Sequence, residues 1–275
     1  MENTMLPTHR VTRRQLLRVG AGSLLAAGLW PGRLDARDAA TEDFSFVVVN
    51  DLHYLDKRCG PWFERVVKQI KAMPDKLDFC LLAGDLAENG KPEQLDPVRT
   101  NFQSLGMPVH VVVGNHDYCD TDDRKPYEEL LPRSINYHFT HRGWQFLGLD
   151  TSHGQRPKVA VQPHTLQWLD DTLPKLDRKR PTVVFTHFPL GPLVIYRATN
   201  ADQVLERFTG HNLVAVYSGH FHGFSERTEG KTVLTTNRCC AFSKGNHDGT
   251  KEKGYFLCKA REGKIVRTFL EVKPA

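Results

Sequence analysis

The chain has 275 residues, and its charged (25%) and hydrophobic (40%) fractions exclude a largely disordered or fibrous protein. Its formal net charge is +5, but residues 1–40 contribute six arginines against three acidic residues, which leaves +2 for the remainder. That excess is too small to indicate a nucleic-acid partner. The length suits one large globular domain, with two small domains as the less favoured alternative.

The N-terminal segment is typical of an export signal. Residues 12–18 read TRRQLLR and precede an apolar run, residues 19–29, that is too short to span a bilayer comfortably. Arg13 and Arg14 followed by two leucines resemble the twin-arginine signal, whose translocation machinery exports folded proteins. A Sec signal, a basic tail and an uncleaved anchor are the alternatives. We assign residues 1–40 to an export signal and linker and expect a periplasmic or extracellular protein.

Residues 41–275 are expected to form one folded domain, in which strands alternate with helices. Continuous apolar runs predict strands, buried on both faces, at residues 44–50, 79–83 and 109–113. Helices are predicted at residues 61–73 and 92–105, each with a proline at its first turn. This order indicates a β-α-β-α-β beginning and an α/β fold.

The second half of the domain continues the alternation. Further strands are predicted at residues 144–150, 182–186, 213–218, 233–236, 255–261 and 265–271, and further helices at residues 162–176 and 202–209. The last two strands form a hairpin with Glu262-Gly263 at its tip. We therefore expect an antiparallel sheet in the second half, beside the parallel sheet of the first.

The six cysteines do not form a metal-binding or disulfide-scaffold pattern. Cys80 lies in an apolar run and is predicted to be a buried thiol, and the adjacent Cys239 and Cys240 rarely pair with each other. The others, at positions 59, 119 and 258, are scattered along the chain. One or two disulfides are the most that could form, and none can be assigned.

Six short segments carry the candidate chemistry, and each falls where an apolar run ends. They are Asp51-Leu52-His53, Gly84-Asp85, Gly114-Asn115-His116-Asp117, His187, Gly219-His220 and His222. In open α/β sheets, ligands bind beyond the carboxyl ends of the strands, which is where these segments lie. Oxygen and imidazole donors without a thiolate suit a pair of hydrolytic transition-metal ions better than a structural zinc.

The order of these segments resembles the calcineurin-like metallophosphoesterase superfamily, over residues 44 to about 271. The resemblance implies a four-layer αββα sandwich with two mixed sheets, in which residues 41–275 are the catalytic domain. It also implies hydrolysis of phosphomonoesters or phosphodiesters, with cyclic nucleotides among the candidates, by attack of a metal-bridging hydroxide. The implied cofactors are two divalent transition-metal ions, iron or manganese in the first place and zinc as the alternative.

The resemblance also implies the ligands of each ion. Asp51, His53 and His222 would hold the first ion, Asn115, His187 and His220 the second, and Asp85 would bridge both. Geometry agrees with one part of this assignment, because residues i and i+2 at a strand end point to the same side, as Asp51 and His53 would. A bridging carboxylate also offsets the repulsion between two neighbouring cations.

His116 and Asp117 are the candidate catalytic residues. The resemblance makes His116 the group that protonates the leaving alkoxide or stabilises its charge, with Asp117 holding its imidazole in the required tautomer. Two alternatives remain open: His116 could only hydrogen-bond to the phosphate, and Asp117 could cap a turn.

The residues that follow the predicted bridging aspartate narrow the choice of subfamily. Purple acid phosphatases carry a tyrosine three residues after the bridging aspartate, and phosphoprotein phosphatases an arginine one residue later, whereas this chain has Glu88 and Asn89. The small bacterial phosphodiesterase-like branch is therefore the nearest likeness, with a small-molecule phosphate ester as substrate.

Residues 245–248 repeat the letters GNHD without a preceding apolar strand, and we interpret them as a loop that could overhang the site. The alternatives to a hydrolase are an inactive, metal-retaining binding protein of the same fold and an exported metal-storage or structural protein. The oligomeric state stays open.

Overall fold

Two mixed β-sheets form the centre of the computed structural model, which describes residues 41–273. The strands are β1 (Phe44–Val49), β2 (Phe79–Ala83), β3 (Val109–Val112), β4 (Tyr137–His141), β5 (Trp144–Leu149), β6 (Thr182–Thr186), β7 (Leu213–Ser218), β8 (Ser225–Glu229), β9 (Thr232–Thr236), β10 (Gly254–Arg261) and β11 (Lys264–Glu271). The helices are α1 (Gly60–Lys71), α2 (Pro92–Gln103), α3 (Lys125–Leu130), α4 (Pro163–Thr172) and α5 (Ala201–Arg207). The predicted export signal, residues 1–40, lies outside the described residues and stays a prediction.

The first sheet has the strand order β11-β10-β1-β2-β3. β1, β2 and β3 are parallel, as expected from the connecting helices, and β10 pairs with β1 in the antiparallel sense. The C-terminal hairpin therefore extends the early sheet, which corrects the prediction of a separate antiparallel sheet. β1 and β2 are buried along their whole length, whereas β3 is only half buried because it lies at the edge of the sheet.

The second sheet has the order β4-β5-β6-β7-β9-β8. Its four central strands are parallel and its two outer strands run antiparallel to their neighbours. The sequence patterns did not predict α3 or the strand β8, which reads SERTE and is almost entirely exposed. An edge strand with no buried face carries no apolar periodicity, so nothing in its composition marks it.

The two sheets pack face to face and helices cover their outer faces, so the fold is the expected four-layer αββα sandwich. The inner core is aromatic and includes Phe46, Phe79, Phe146 and Phe185. One outer core joins the first sheet to α1 and α2, and another joins the second sheet to α4 and α5. This arrangement turns the carboxyl ends of β1, β2, β3, β6 and β7 toward a common edge.

The helix predicted at residues 162–176 is shorter in the structure. α4 ends at Thr172 and continues as a 3-10 turn, Leu173–Lys175, because Pro174 has no N–H with which to extend the α-helix. Cys80 is buried, as predicted, and all six cysteines are free thiols. No helix within residues 41–273 has the length and apolar character needed to cross a membrane.

Candidate metal centre

The six predicted segments meet at the common edge of the two sheets. Asp51 and His53 follow β1, Asp85 follows β2, Asn115 follows β3, and His187 follows β6 directly. His220 and His222 follow β7, and all seven predicted metal ligands are buried. Backbone hydrogen bonds join the loops from different strands: Asp51 N donates to Gly84 O over 3.2 Å, and Gly219 N donates to His187 O over 3.0 Å. Residues distant in sequence thus form one cluster.

The backbone of this cluster is unusual. Among residues 41–273, ten non-glycine residues have a positive φ, and five of them are Asp51, His53, Asp85, His220 and His222. Non-glycine residues rarely adopt the left-handed conformation, and each such residue costs about 1–3 kcal/mol. Asp51 and His53 therefore reach the same group through a left-handed turn after β1, and not through the alternation of an extended strand that we expected. Strained backbone of this kind is concentrated at functional sites.

Four side chains form the first donor group: Asp51, His53, Asp85 and His222. Nε2 of His53 lies 3.0 Å from Nε2 of His222 and 3.4 Å from Oδ2 of Asp85. Nε2 of His222 lies 3.3 Å from Oδ1 of Asp51. Asp51 is itself held in place, because the backbone N of His220 donates to its carboxylate and Nδ2 of Asn50 donates to Oδ2 over 2.6 Å.

The second donor group consists of Asp85, His187 and His220, with Asn115 beside it. Nε2 of His187 lies 3.2 Å from Oδ1 of Asp85 and 3.1 Å from Oδ1 of Asn115. Asp85 belongs to both groups, and it offers a different oxygen to each: Oδ2 faces His53 and Oδ1 faces His187. This is the geometry expected of a carboxylate that bridges two cations.

Each of the four histidines predicted as metal ligands uses one ring nitrogen to bind a group outside the cluster. The partners are Glu88 Oε2 for Nδ1 of His53 (3.0 Å), Ala83 O for Nδ1 of His187 (3.0 Å), Pro157 O for Nε2 of His220 (3.0 Å) and Gly245 O for Nδ1 of His222 (3.2 Å). Because a carbonyl or carboxylate accepts a hydrogen bond, the nitrogen that faces it carries the hydrogen. The other nitrogen then presents a lone pair, as in metal-binding histidines oriented by an outer partner.

When the four histidines are neutral, acceptors face one another across the inner surface of the cluster, an arrangement that protons or metal cations stabilise. The carboxylates favour positive charge at the same places. Burial opposes protonation of His187, yet the negative charge of Asp85 raises its pKa to about 9. Burial likewise opposes protonation of His222, but Asp51 raises its pKa to about 11. Oxygen and imidazole donors in two groups with a shared carboxylate fit two divalent metal ions.

His116 lies beside the cluster and is partly exposed, with 34% of its side chain accessible to solvent. Its backbone N donates to Oδ1 of Asp85 over 2.9 Å, and its Nδ1 donates to the backbone O of Glu88 over 2.9 Å. Its ring also contacts the edge of His53. These contacts leave Nε2 as the nitrogen available to a molecule above the cluster.

Asp117 does not hold the ring of His116, which corrects the role that the resemblance implied. Its Oδ1 accepts from Ala87 N over 3.0 Å and its Oδ2 from Gly114 N over 2.8 Å. A buried carboxylate with two backbone donors fixes the loop that carries Asn115 and His116, which is close to the turn-capping alternative. Burial, followed by repulsion from Asp85, raises the pKa of Asp117 to about 7.

Two residues beside the cluster were not predicted as site residues, Glu88 and Lys244. Oε1 of Glu88 lies 2.5 Å from Nζ of Lys244 while Oε2 binds His53. Burial opposes ionisation of Glu88, but the hydrogen bonds from His53 and Lys244 lower its pKa. The sequence marked Glu88 only as the residue at the tyrosine position of purple acid phosphatases, and it gave no signal for Lys244.

The GNHD repeat at residues 245–248 overhangs the site, as interpreted from the sequence. The backbone N of His247 donates to His222 O over 2.9 Å, and the two rings are stacked with centroids 4.9 Å apart. Two of the motif glycines, Gly114 and Gly219, leave no space for a side chain. A Cβ on Gly114 would lie 2.1 Å from Oδ1 of Asp85, and one on Gly219 would lie 2.8 Å from Oδ2 of Asp51.

Comparison with known proteins agrees with this site. A family model described as calcineurin-like phosphoesterase matches residues 44–224. The chain is 26% identical over 198 residues to a "Probable cyclic nucleotide phosphodiesterase" of Psychrobacter arcticus, in an alignment covering 66% of this chain and 70% of the relative. It is 26% identical over 184 residues to the "Glycerophosphodiester phosphodiesterase GpdQ" of Enterobacter lignolyticus, covering 62% of this chain and 65% of the relative.

A solved structure extends the comparison to the fold. Purple acid phosphatase PPD1 from yellow lupin (Lupinus luteus) seeds superposes with a TM-score of 0.65 at 10% identity, over 85% of this chain and 52% of that protein. At this identity the likeness concerns the fold alone.

Proposed function

This chain belongs to the calcineurin-like phosphoesterase family, and we propose that it hydrolyses phosphodiesters in a site that holds two divalent metal ions. The observation that carries the proposal is the position of Asp85, whose two oxygens face two separate groups of buried donors. A structural metal site is normally a single closed shell, whereas two adjoining groups with one shared carboxylate are typical of hydrolytic centres.

The protein residues have separate tasks in this proposal. Asp51, His53 and His222 would hold one ion, Asn115, His187 and His220 the other, and Asp85 both. When bound, the ions would supply Lewis-acid activation of the phosphate and of a water molecule. The outer partners of the histidines, such as Ala83 O and Pro157 O, keep each ring in a fixed tautomer and orientation.

His116 would act on the leaving group. It lies next to Asn115, is tied to Asp85 through its backbone N, and has a partly exposed imidazole. A proton held at Nε2 could be donated to the departing alkoxide oxygen, while Nδ1 stays bound to Glu88 O. Glu88 is thereby in contact with both His116 and the ligand His53.

The names of relatives support diesters as the substrate class. One relative is named a cyclic nucleotide phosphodiesterase and the other a glycerophosphodiester phosphodiesterase. We propose a small-molecule phosphodiester for this chain, with iron or manganese as the metal pair and zinc as the alternative.

We further propose export through the twin-arginine machinery to the periplasm or the extracellular space, which is supported by Arg13, Arg14 and the apolar run after them.

The test is a substrate panel with controlled metal loading. Metal-free protein is reconstituted with Mn²⁺, Fe²⁺ or Zn²⁺ and assayed with a phosphomonoester, a glycerophosphodiester, a 3',5'-cyclic nucleotide and bis(p-nitrophenyl) phosphate. We expect two ions per chain and turnover of at least one diester above the monoester rate. Protein that binds two ions but hydrolyses none of these esters would favour the inactive, metal-retaining alternative.

A further inference from the structure

The loop between β9 and β10, residues 237–253, lies outside the region matched by the family model, which ends at residue 224. Two consecutive residues of this loop, Lys244 and Gly245, support two metal-site histidines, Lys244 through Glu88 and Gly245 by direct contact. Lys244 binds Glu88, which in turn accepts the hydrogen bond from Nδ1 of His53. Gly245 O accepts the hydrogen bond from Nδ1 of His222 over 3.2 Å. The 237–253 loop thus supports both histidines of the first donor group.

A second contact strengthens the support of His222. His247, two residues further along the loop, donates its backbone N–H to His222 O over 2.9 Å and stacks its ring on that of His222 at an interplanar angle of 12°. His222 is therefore held at its ring nitrogen, its ring face and its backbone by one loop. A ligand fixed in this way loses little conformational freedom when it binds a cation.

The histidines of the second donor group are supported elsewhere. Nδ1 of His187 donates to Ala83 O at the end of β2, and Nε2 of His220 donates to Pro157 O. Neither acceptor belongs to the 237–253 loop. The 237–253 loop therefore supports the histidines of the first donor group and not those of the second, although Asp85 belongs to both groups.

The loop is itself fixed by an internal hydrogen-bond network. The side chain of Asn246 accepts from Cys239 N over 2.9 Å and donates to Glu252 O over 2.8 Å. Nζ of Lys253 donates to Ala241 O over 2.8 Å and also to Lys244 O. Because Lys244 and Gly245 lie between these anchoring points, their positions follow from the loop's own structure.

We propose that the 237–253 loop, acting through Lys244 and Glu88, sets the affinity of the site for the ion held by Asp51, His53 and His222. The ion held by Asn115, His187 and His220 keeps its affinity. Lys244 and Glu88 are positioning residues here: the carboxylate of Glu88 orients His53 and increases its basicity, and the ammonium of Lys244 holds that carboxylate in place. The inference rests on the proposed two-metal site.

The experiment measures Mn²⁺ binding in four variants and in the unaltered protein. Glu88→Gln and Lys244→Met remove the charges of the pair, and Lys244→Arg keeps a cation there. Lys251→Met is the matched control, because this exposed lysine lies in the same loop and its side chain is not part of the contacts with the cluster. Affinity and stoichiometry come from titration calorimetry and elemental analysis, and circular dichroism checks the fold.

We expect two classes of site in the unaltered protein, and a loss of roughly 10- to 100-fold in the affinity of only one class in Glu88→Gln and Lys244→Met. At the lowest Mn²⁺ concentration that fills both sites of the unaltered protein, electron paramagnetic resonance should then show isolated ions in these two variants and coupled pairs in the unaltered protein. Lys244→Arg should restore most of the affinity, and Lys251→Met should match the unaltered protein.

Three results would overturn the inference: unchanged affinities in both charge-removing variants, an equal loss in both classes of site, or no recovery in Lys244→Arg. If Lys244→Met fails to fold, Glu88→Gln alone decides the question, since it is nearly isosteric. Failure of the proposed function is a separate result, because it would appear as the absence of two bound ions or of turnover in the unaltered protein.

Discussion

The backbone N–H of His116 donates to Oδ1 of Asp85 over 2.9 Å, so the exposed imidazole is tied to the carboxylate that both donor groups share. A shift of the Asp85 carboxylate would therefore either break this hydrogen bond or displace the backbone that positions His116. Because of this link, the role of His116 and the metal loading of the site should be tested with separate variants.

Replacing His116 with alanine should slow the hydrolysis of esters with poor leaving groups. General acids typically contribute roughly 10²- to 10⁴-fold, and alkoxides need a proton far more than p-nitrophenolate does. We expect a loss in this range in kcat for an alkyl phosphodiester and a much smaller loss for bis(p-nitrophenyl) phosphate. The metal content should remain unchanged, and His138→Ala, at an exposed position in β4, serves as the control. Equal losses for both esters would remove the proton-donor role.

Replacing Asp85 with asparagine should abolish metal loading and hydrolysis together. The carboxylate faces both His53 and His187, and its negative charge offsets the repulsion between two adjacent cations. Asparagine keeps the shape of the side chain but has neither the charge nor the second oxygen. Elemental analysis after dialysis should find fewer than one ion per chain, with Asp171→Asn, an exposed site on α4, as the control. A normal metal content in Asp85→Asn would contradict the bridging role.

Replacing Gly114 with alanine should damage the site through steric contact. The added Cβ would lie 2.1 Å from Oδ1 of Asp85, so either the loop or the carboxylate must move. Overpacking of this kind costs about 1–3 kcal/mol in unfolding free energy, and we expect weaker metal binding as well. Gly60→Ala is the control, because nothing lies within 4 Å of its added Cβ and the residue begins α1. Urea unfolding of the metal-free protein measures the stability of both variants. Equal free energies of unfolding in Gly114→Ala and Gly60→Ala would refute the steric argument.

His110 should make the protein less stable in acid. Its ring stacks on Phe139 of β4 with centroids 3.7 Å apart, and burial, followed by the charge of His141, lowers its pKa from 6.5 to about 4. As the pH falls below about 6.5, the unfolded chain takes up a proton at His110 before the folded chain does. The stability contributed by the neutral ring is thus complete above this pH and is lost between about pH 6.5 and 4.

Urea unfolding of metal-free protein at pH 7.5 and pH 5 measures this effect. The drop in stability between the two pH values should be smaller in His110→Phe than in the unaltered protein, whereas His138→Gln should show the full drop. Comparing the drops between variants cancels the contribution of the metal-site histidines, which all of these proteins share. An equal drop in His110→Phe would show that His110 does not titrate as described.

The positions of the donors could be predicted because each follows an apolar run. Val49, Ala83 and Thr186 end buried strands, and the chain reverses there, so the next polar side chains are delivered to one edge of the sheets. Sequence reasoning thus identified the fold and the residues of the cluster. It could not supply the backbone conformation, and the expected strand alternation of Asp51 and His53 proved to be a left-handed turn.

The groups that hydrogen-bond to the outer nitrogens of the metal-site histidines could not be predicted, because their positions also depend on the backbone conformation. Glu88 and Lys244 are 156 positions apart, and their contact depends on the path of a loop with no periodic pattern. Backbone acceptors such as Ala83 O and Pro157 O carry no sequence signal at all. Asp117 shows the opposite error, because its motif position suggested a contact with His116 while its carboxylate binds two backbone N–H groups.

The left-handed backbone at five donor positions has a consequence for variation in this chain. Glycine adopts left-handed conformations without the steric penalty of a side chain, so Asp51→Gly or His222→Gly would relieve local backbone strain. The same replacements would remove a buried donor from the cluster. The side chains at this edge of the molecule are therefore held in place at the expense of a relaxed backbone.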